Sequence, residues 1–158
     1  MRKKIYAALY LTTMLFFASS CNVNSTYINR EEDKKDAERV ANQFYEFLQK
    51  KEFQKVIPLL STKFKAATST EKLNDYLNGA LSKLGEIKSE KLDHWESKVV
   101  KGSNPSANYV LYYVVERTKY QSKETVILTA ENNQIKIQGY NVNSDGLLLG
   151  NKIDTSSP

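Results

Sequence analysis

Cysteine, histidine and tryptophan each occur once in these 158 residues. A lone cysteine cannot close a disulfide within the chain. A lone histidine, with no carboxylate cluster at ligand spacing, leaves no set of metal ligands. Glycine is sparse at six residues, and none of them builds a Gly-x-Ser-x-Gly elbow, a phosphate loop or a dinucleotide fingerprint. No metal and no cofactor is therefore expected. Acidic residues are missing from the start of the chain, where nothing negative precedes Glu31.

That last absence marks a segment of its own. In "MRKKIYAALYLTTMLFFASSC" Arg2, Lys3 and Lys4 form a positive region, and Ile5 to Phe17 is an apolar run of 13 residues. Ala18, Ser19 and Ser20 are small, as a signal peptidase requires. The apolar run is shorter than the about 20 residues that span a bilayer, so it reads as an export signal covering residues 1–20. Small residues directly before Cys21 resemble a bacterial lipobox, in which the cysteine sulfur takes a diacylglyceryl group and becomes the first mature residue. Ala18 stands where that pattern commonly has leucine. Two or three acyl chains hold a protein firmly on a membrane, where one does not. Asn22, rather than Asp, follows the cysteine, which favours the outer over the inner membrane in a cell that has both.

Composition then bounds the remainder. With 41% hydrophobic and 26% charged residues, the chain is too apolar for a disordered protein. The formal charge of +5 shrinks to +2 once the three basic residues of the signal are set aside. No basic stripe survives, so nucleic acid is not an expected partner. Residues 21–35 read as a lipidated N-terminus and flexible tether, 36–150 as one folded domain and 151–158 as a loose tail.

Inside the domain helices come first. Ala37, Val40, Ala41, Phe44, Phe47 and Leu48 recur at helical spacing from Asp36 to about Lys50. Pro58 limits a second, short helix over Gln54 to Leu60. "TSTEKLNDYLNGALSKLG" carries an apolar face of Leu73, Tyr76, Leu77, Ala80, Leu81 and Leu84, a capping box of Thr68 with Glu71, and a terminating Gly85. The period then changes to that of strands: a long bent one in "EIKSEKLDHWESKVV", then "ANYVLYYVVERTKY", "KETVILTAE" and "QIKIQGYNVN". Asn132–Asn133 suits a tight hairpin turn. This order predicts an α+β domain whose N-terminal helices pack on one face of a curved antiparallel sheet of about four strands.

Four segments carry a closer comparison: "AERVANQFYEFLQKKEFQKVIPLLSTKFK", the "KLG" before the first strand, "KETVILTAE", and "IKIQGYNVNSDG". Together they resemble the bacterial domain-of-unknown-function family 4019, across roughly Ala37 to Gly146. The resemblance implies an export signal and the cone-shaped fold called nuclear-transport-factor-2-like or cystatin-like. It implies no reaction. Ile135 stands where the family commonly has tryptophan, and Glu90 where it often has arginine, so no role of that arginine carries over.

Reactive variety is confined to "LDHWES". Strand alternation puts Asp93 and Trp95 on one face, and Leu92, His94 and Glu96 on the other. Tyr109 and Tyr113 share a strand face with Leu111 and Val115, while Tyr76 faces the sheet from the long helix. Tyr76, His94, Trp95, Tyr109 and Tyr113 are therefore the candidate ligand-binding residues, and no catalytic residue is assigned. The favoured function is a non-enzymatic, lipid-anchored envelope protein that binds a small molecule or an envelope protein. One alternative is a cofactor-free enzyme with an apolar pocket, using His94, Asp93 or Asp75 as acid or base. Another is a structural or inhibitor-like protein acting through its sheet face, and a homodimer stays open. Intact mass should show the mature chain beginning at an acylated Cys21. Cys21→Ala should abolish acylation and lower membrane recovery, and equal membrane recovery of both proteins would refute the anchor.

Overall fold

The computed structural model describes residues 24–149. The signal, Cys21 and the tail lie outside that range. Within it, β1 (Ser25–Ile28) leads into α1 (Glu31–Gln49), a 3-10 helix (Phe53–Leu59), α2 (Thr62–Ala67) and α3 (Thr70–Leu84). Strands β2 (Ile87–Lys101), β3 (Ser106–Arg117), β4 (Ser122–Glu131) and β5 (Gln134–Asn143) follow, and the short α4 (Asp145–Leu149) closes the sequence. The fold is α+β. Its sheet is an open antiparallel meander in the order β1-β2-β3-β4-β5, five strands rather than the expected four.

The extra strand comes from the stretch expected to be a tether. β1 pairs with the end of β2, Ser25 opposite Lys101 and Ile28 opposite Lys98. Its ends are fixed by asparagines. Ser103 donates its backbone N–H to Asn24 Oδ1 (3.1 Å), and Ser97 donates to Asn29 Oδ1 (2.7 Å). Asn29 adopts φ 51°, a left-handed turn that asparagine tolerates, and redirects the chain into α1. That helix begins at Glu31 rather than Asp36. Three acids, Glu31, Glu32 and Asp33, occupy its first turn, where the helix dipole favours negative charge.

α1 buries Ala37, Val40, Ala41, Phe44, Tyr45 and Leu48, one stripe at spacings of three and four. The stripe lies on the sheet face formed by Tyr109, Leu111, Tyr113, Val115, Val126, Leu128 and Ile137, and these residues make one continuous core. Pro58 falls inside the 3-10 helix, which needs no long ladder of i to i−4 bonds. α2 is a separate helix, capped by Ser61, whose Oγ accepts from the Phe64 backbone. α3 is capped by Ser69, not Thr68: Ser69 Oγ accepts from the Lys72 backbone, while Thr68 ends α2.

Two further positions set the geometry. Asn132 and Asn133 both have positive φ, 50° and 61°, which twists the β4–β5 turn in the sense the strands require. Gly85 joins α3 to β2 at φ 86°, ψ −175°, a region essentially reserved for glycine. A Cβ there would stand 2.0 Å from Thr118 Oγ1. The junction is also a latch, since Thr118 Oγ1 accepts from Glu86 N, and Lys119 N and Tyr120 N both donate to Leu84 O. Gly85→Ala should therefore lower unfolding stability by about 2 kcal/mol or more in urea titration. A loss below about 0.5 kcal/mol, the range of an ordinary surface change, would contradict this strain.

Candidate functional site

Among the described residues, buried charge occurs at one place on the inner face of the sheet. Alternation along β4 turns Ser122, Glu124, Val126 and Leu128 to the core, and alternation along β3 ends on Arg117. The Glu124 and Arg117 side chains are 0% and 4% exposed. A charge so placed is tolerable only when it is fully bonded. Glu124 Oε1 accepts from Arg117 Nη2 (2.6 Å), Arg117 Nε (3.0 Å) and Ser122 Oγ (2.6 Å). Its Oε2 accepts from the hydroxyls of Tyr45 (3.2 Å) on α1 and Tyr140 (2.5 Å) on β5. Arg117 Nη1 donates to Gly85 O (3.3 Å), so the network also holds the α3–β2 junction. Burial, with the neighbouring Glu124 charge, pushes the Tyr45 and Tyr140 phenols well above their ordinary range and keeps them protonated as donors.

Tyr140 links this network to a groove. A cleft of about 430 Å³ runs between α2, α3 and the free edge of β5. Phe64, Leu73, Tyr76 and Tyr140 make its apolar walls, Gln138 and Gly139 lie along it, and Lys63 and Lys72 stand at its rim. No carboxylate lines it, and neither lysine is in an ion pair among the described residues. Tyr76 and Tyr140 meet edge to face at 6.1 Å, and Phe44 packs on Tyr140 from the core side at 4.8 Å. The Val142 N–H, on the open edge of β5, donates to Tyr76 Oη (2.9 Å), which fixes that ring as one wall. The arrangement suits a molecule with an apolar body and an anionic group.

Of the five ligand candidates, only Tyr76 lines this groove, with its side chain at the surface. Tyr109 and Tyr113 are buried beneath α1. Tyr113 stacks edge-on against Tyr45 at 4.9 Å, and its buried hydroxyl has no partner among the described residues. Trp95 also packs on the core, with Lys34 Nζ over its ring at 5.4 Å. His94 lies on the opposite sheet face, stacked on Tyr112 at 4.0 Å. The structure does not bring the five together.

A bulge explains the parity error. The β2–β3 register shifts between Leu92 and His94, leaving Asp93 unpaired, so Leu92 and Trp95 both face the core. Asp93 and His94 are 64% and 58% exposed and hydrogen-bond only to each other, at 3.2 Å. Asp75 is exposed on α3, beside a smaller cleft shared with Gly79, Lys83 and Leu147.

Comparison with protein-family models, with curated proteins and with solved structures finds no match. The likeness to family 4019 rests on the quoted segments. No helix among the described residues is long and apolar enough to cross a membrane, and no group of three metal-binding side chains occurs among them.

Strand alternation alone marks Glu124 and Arg117 as charged residues at inward positions. The groove had no such local signal, because α2 and α3 lie far from β5 in sequence. Arg117→Met leaves a bare carboxylate in the core and should cost about 3–5 kcal/mol in chemical unfolding. The double variant Arg117→Met/Glu124→Leu should lose less than that single one. A double loss equal to the sum of the singles would show the two groups to be uncoupled.

Proposed function

We propose that this chain is a lipid-anchored protein of the bacterial envelope whose domain holds a small amphipathic molecule without transforming it. The observation that carries the reading is the groove: apolar walls, two unpaired lysines at its rim, and no carboxylate along it. Anchoring rests on the cysteine and the signal before it, with the outer membrane preferred. Membership of family 4019 and the nuclear-transport-factor-2-like fold belong to the same proposal. In its support, α1 lies across the inner sheet face, and Glu124 of the "ETV" segment bonds Tyr140 of the "GY" segment. The two pieces of sequence most specific to the resemblance therefore meet in space.

An acid–base enzyme would need Asp75, Asp93 or His94 to face an enclosed, desolvated pocket. None of the three lines the groove, and Asp93 and His94 stand on the open sheet face. That same face favours a second reading, a docking surface for an envelope protein. Val110, Tyr112, Val114 and Ile127 cluster there, with Ile127 exposed.

Anilinonaphthalene sulfonate, an apolar ring system bearing one anion, is a suitable probe of the groove. The protein should enhance its fluorescence, and Ala67→Trp, which fills the groove from exposed α2, should weaken binding about tenfold or more. Lys63→Ala/Lys72→Ala should weaken the sulfonate while sparing the uncharged parent anilinonaphthalene. Unaltered sulfonate affinity in both variants would refute the groove as the binding site.

A further inference from the structure

The position of β1 decides how the domain stands on its anchor. A tether free to Asp36 would let the domain float some tens of ångströms off a bilayer. Instead, only three peptide steps separate Cys21 from Asn24, whose side chain is bonded to Ser103 in the β2–β3 turn. Whatever path the chain takes, three residues reach no further than about 11 Å. The β2–β3 turn is thus held within about that distance of the residue that would carry the lipid.

Other elements share this end of the sheet. In the meander, the β4–β5 turn at Asn132–Asn133 falls on the same side as the β2–β3 turn, about two strand spacings or 10 Å away. The first turn of α2 is fixed there too, because Thr62 donates its backbone N–H to Glu131 (2.8 Å) and its hydroxyl to the same carboxylate. Lys136 reaches across to Pro58 O (2.9 Å). The surface so assembled holds Lys63, Lys65, Lys101 and Lys136, none of them in an ion pair among the described residues; Glu131 is bonded to Thr62, and the acids of the first turn of α1, near Lys101, are held by Arg30 and Lys34. At the turns themselves stand Ser103, Asn104, Asn132, Asn133 and Gln134, uncharged and able to hydrogen-bond. The opposite end differs. Around the β3–β4 turn and the end of α3, Lys51, Lys83, Lys119 and Lys123 are mixed with Glu86, Glu116 and Asp145, and of those acids only Glu86 is in an ion pair among the described residues.

We infer that the end bearing the β2–β3 and β4–β5 turns rests against the bilayer, with anionic phospholipid headgroups as its partner. This rests on the anchor proposed at Cys21. The short link brings the basic end to the surface, the lysines hold it there, and the groove residues Lys63 and Phe64 lie at the same end. The protein is docked on edge, strands rising from the membrane.

The test uses the full chain, purified with its lipid and reconstituted into phosphatidylcholine vesicles with and without phosphatidylglycerol. Acylation leaves Cys21 without a thiol, so single fluorophores can be placed at Asn104→Cys, Asn133→Cys and, as a far-end control, Asn143→Cys. Nitroxide-headgroup lipids should quench the labels at 104 and 133 and leave the label at 143 bright. Added salt, omission of phosphatidylglycerol, or Lys101→Glu/Lys136→Glu should lower the docked population, by about fivefold for each lysine lost. Equal quenching at all three positions, with Cys21 acylated, overturns the docked orientation while leaving the anchor intact. An unmodified Cys21 in the intact mass overturns the anchor, and this orientation with it.

Discussion

A single buried carboxylate constrains most of this fold. Glu124, the third residue of β4, faces the core, and its two oxygens gather donors from α1, β3, β4 and β5. Such a pair contributes little net stability, because removing two charges from water offsets much of their attraction. Its effect is on choice of structure. Sliding β4 by one residue would turn Glu124 outward and bring Lys123 or Thr125 inward, leaving Arg117 buried without its partner. The same slip would strand the hydroxyls of Tyr45 and Tyr140. The register of the inner sheet and the seating of α1 are therefore fixed by one condition.

That condition reaches the groove through Tyr140. Its hydroxyl is committed to Glu124, and its ring is clamped between Phe44 on one side and Tyr76 on the other. A bulge between Ile127 and Leu128 in the β4–β5 pairing brings Ile137 and Tyr140 to the same face despite their odd spacing. Gly139, between them, accepts the Ile127 side chain, whose Cδ1 lies 3.3 Å from where a Cβ would stand. Beyond the bulge, Ser61 N donates to Ile137 O and Tyr76 caps Val142 N, so the edge of β5 is engaged at both ends. What is left between these two contacts is the floor of the groove.

The legible parts of the sequence were those set by local pattern. α3 follows from its apolar face, the β4–β5 hairpin from Asn132–Asn133, and the core face of β3 from strict alternation of Tyr109, Leu111, Tyr113 and Val115. The parts that were not legible depend on contacts distant in sequence. β1 has four residues, and Ile28 stays exposed, so it buries too little to leave a hydrophobic signature; it exists through pairing with β2 and through two asparagine side chains. The bulge at Asp93 reverses the faces of "LDHWES", and nothing in those six residues announces it. α2 was not foreseen beyond the helix expected to end at Leu60, because it has only six residues and none of them is buried. Only Ser61, bonded both to Phe64 and to Ile137, separates the two.

Net charge proved a poor guide to what the surface can meet. Without its first twenty residues the chain is nearly balanced, yet that balance is an average over strands of 10 to 15 residues, about 30 to 50 Å end to end. Charges are screened over about 8–10 Å at physiological salt, so a partner at one end does not feel the carboxylates at the other. Under the proposed anchor, the field that matters is that of Lys63, Lys65, Lys101 and Lys136, since Glu31, Glu32, Asp33 and Glu131 at that end are bonded within the chain. In that proposal it would become effective because β1 leaves so short a link, whereas a longer tether would let the domain tumble and present either end equally often. In the proposed orientation, a strand of four residues paired at the edge of the sheet would give a nearly balanced protein a preferred side toward a negatively charged surface.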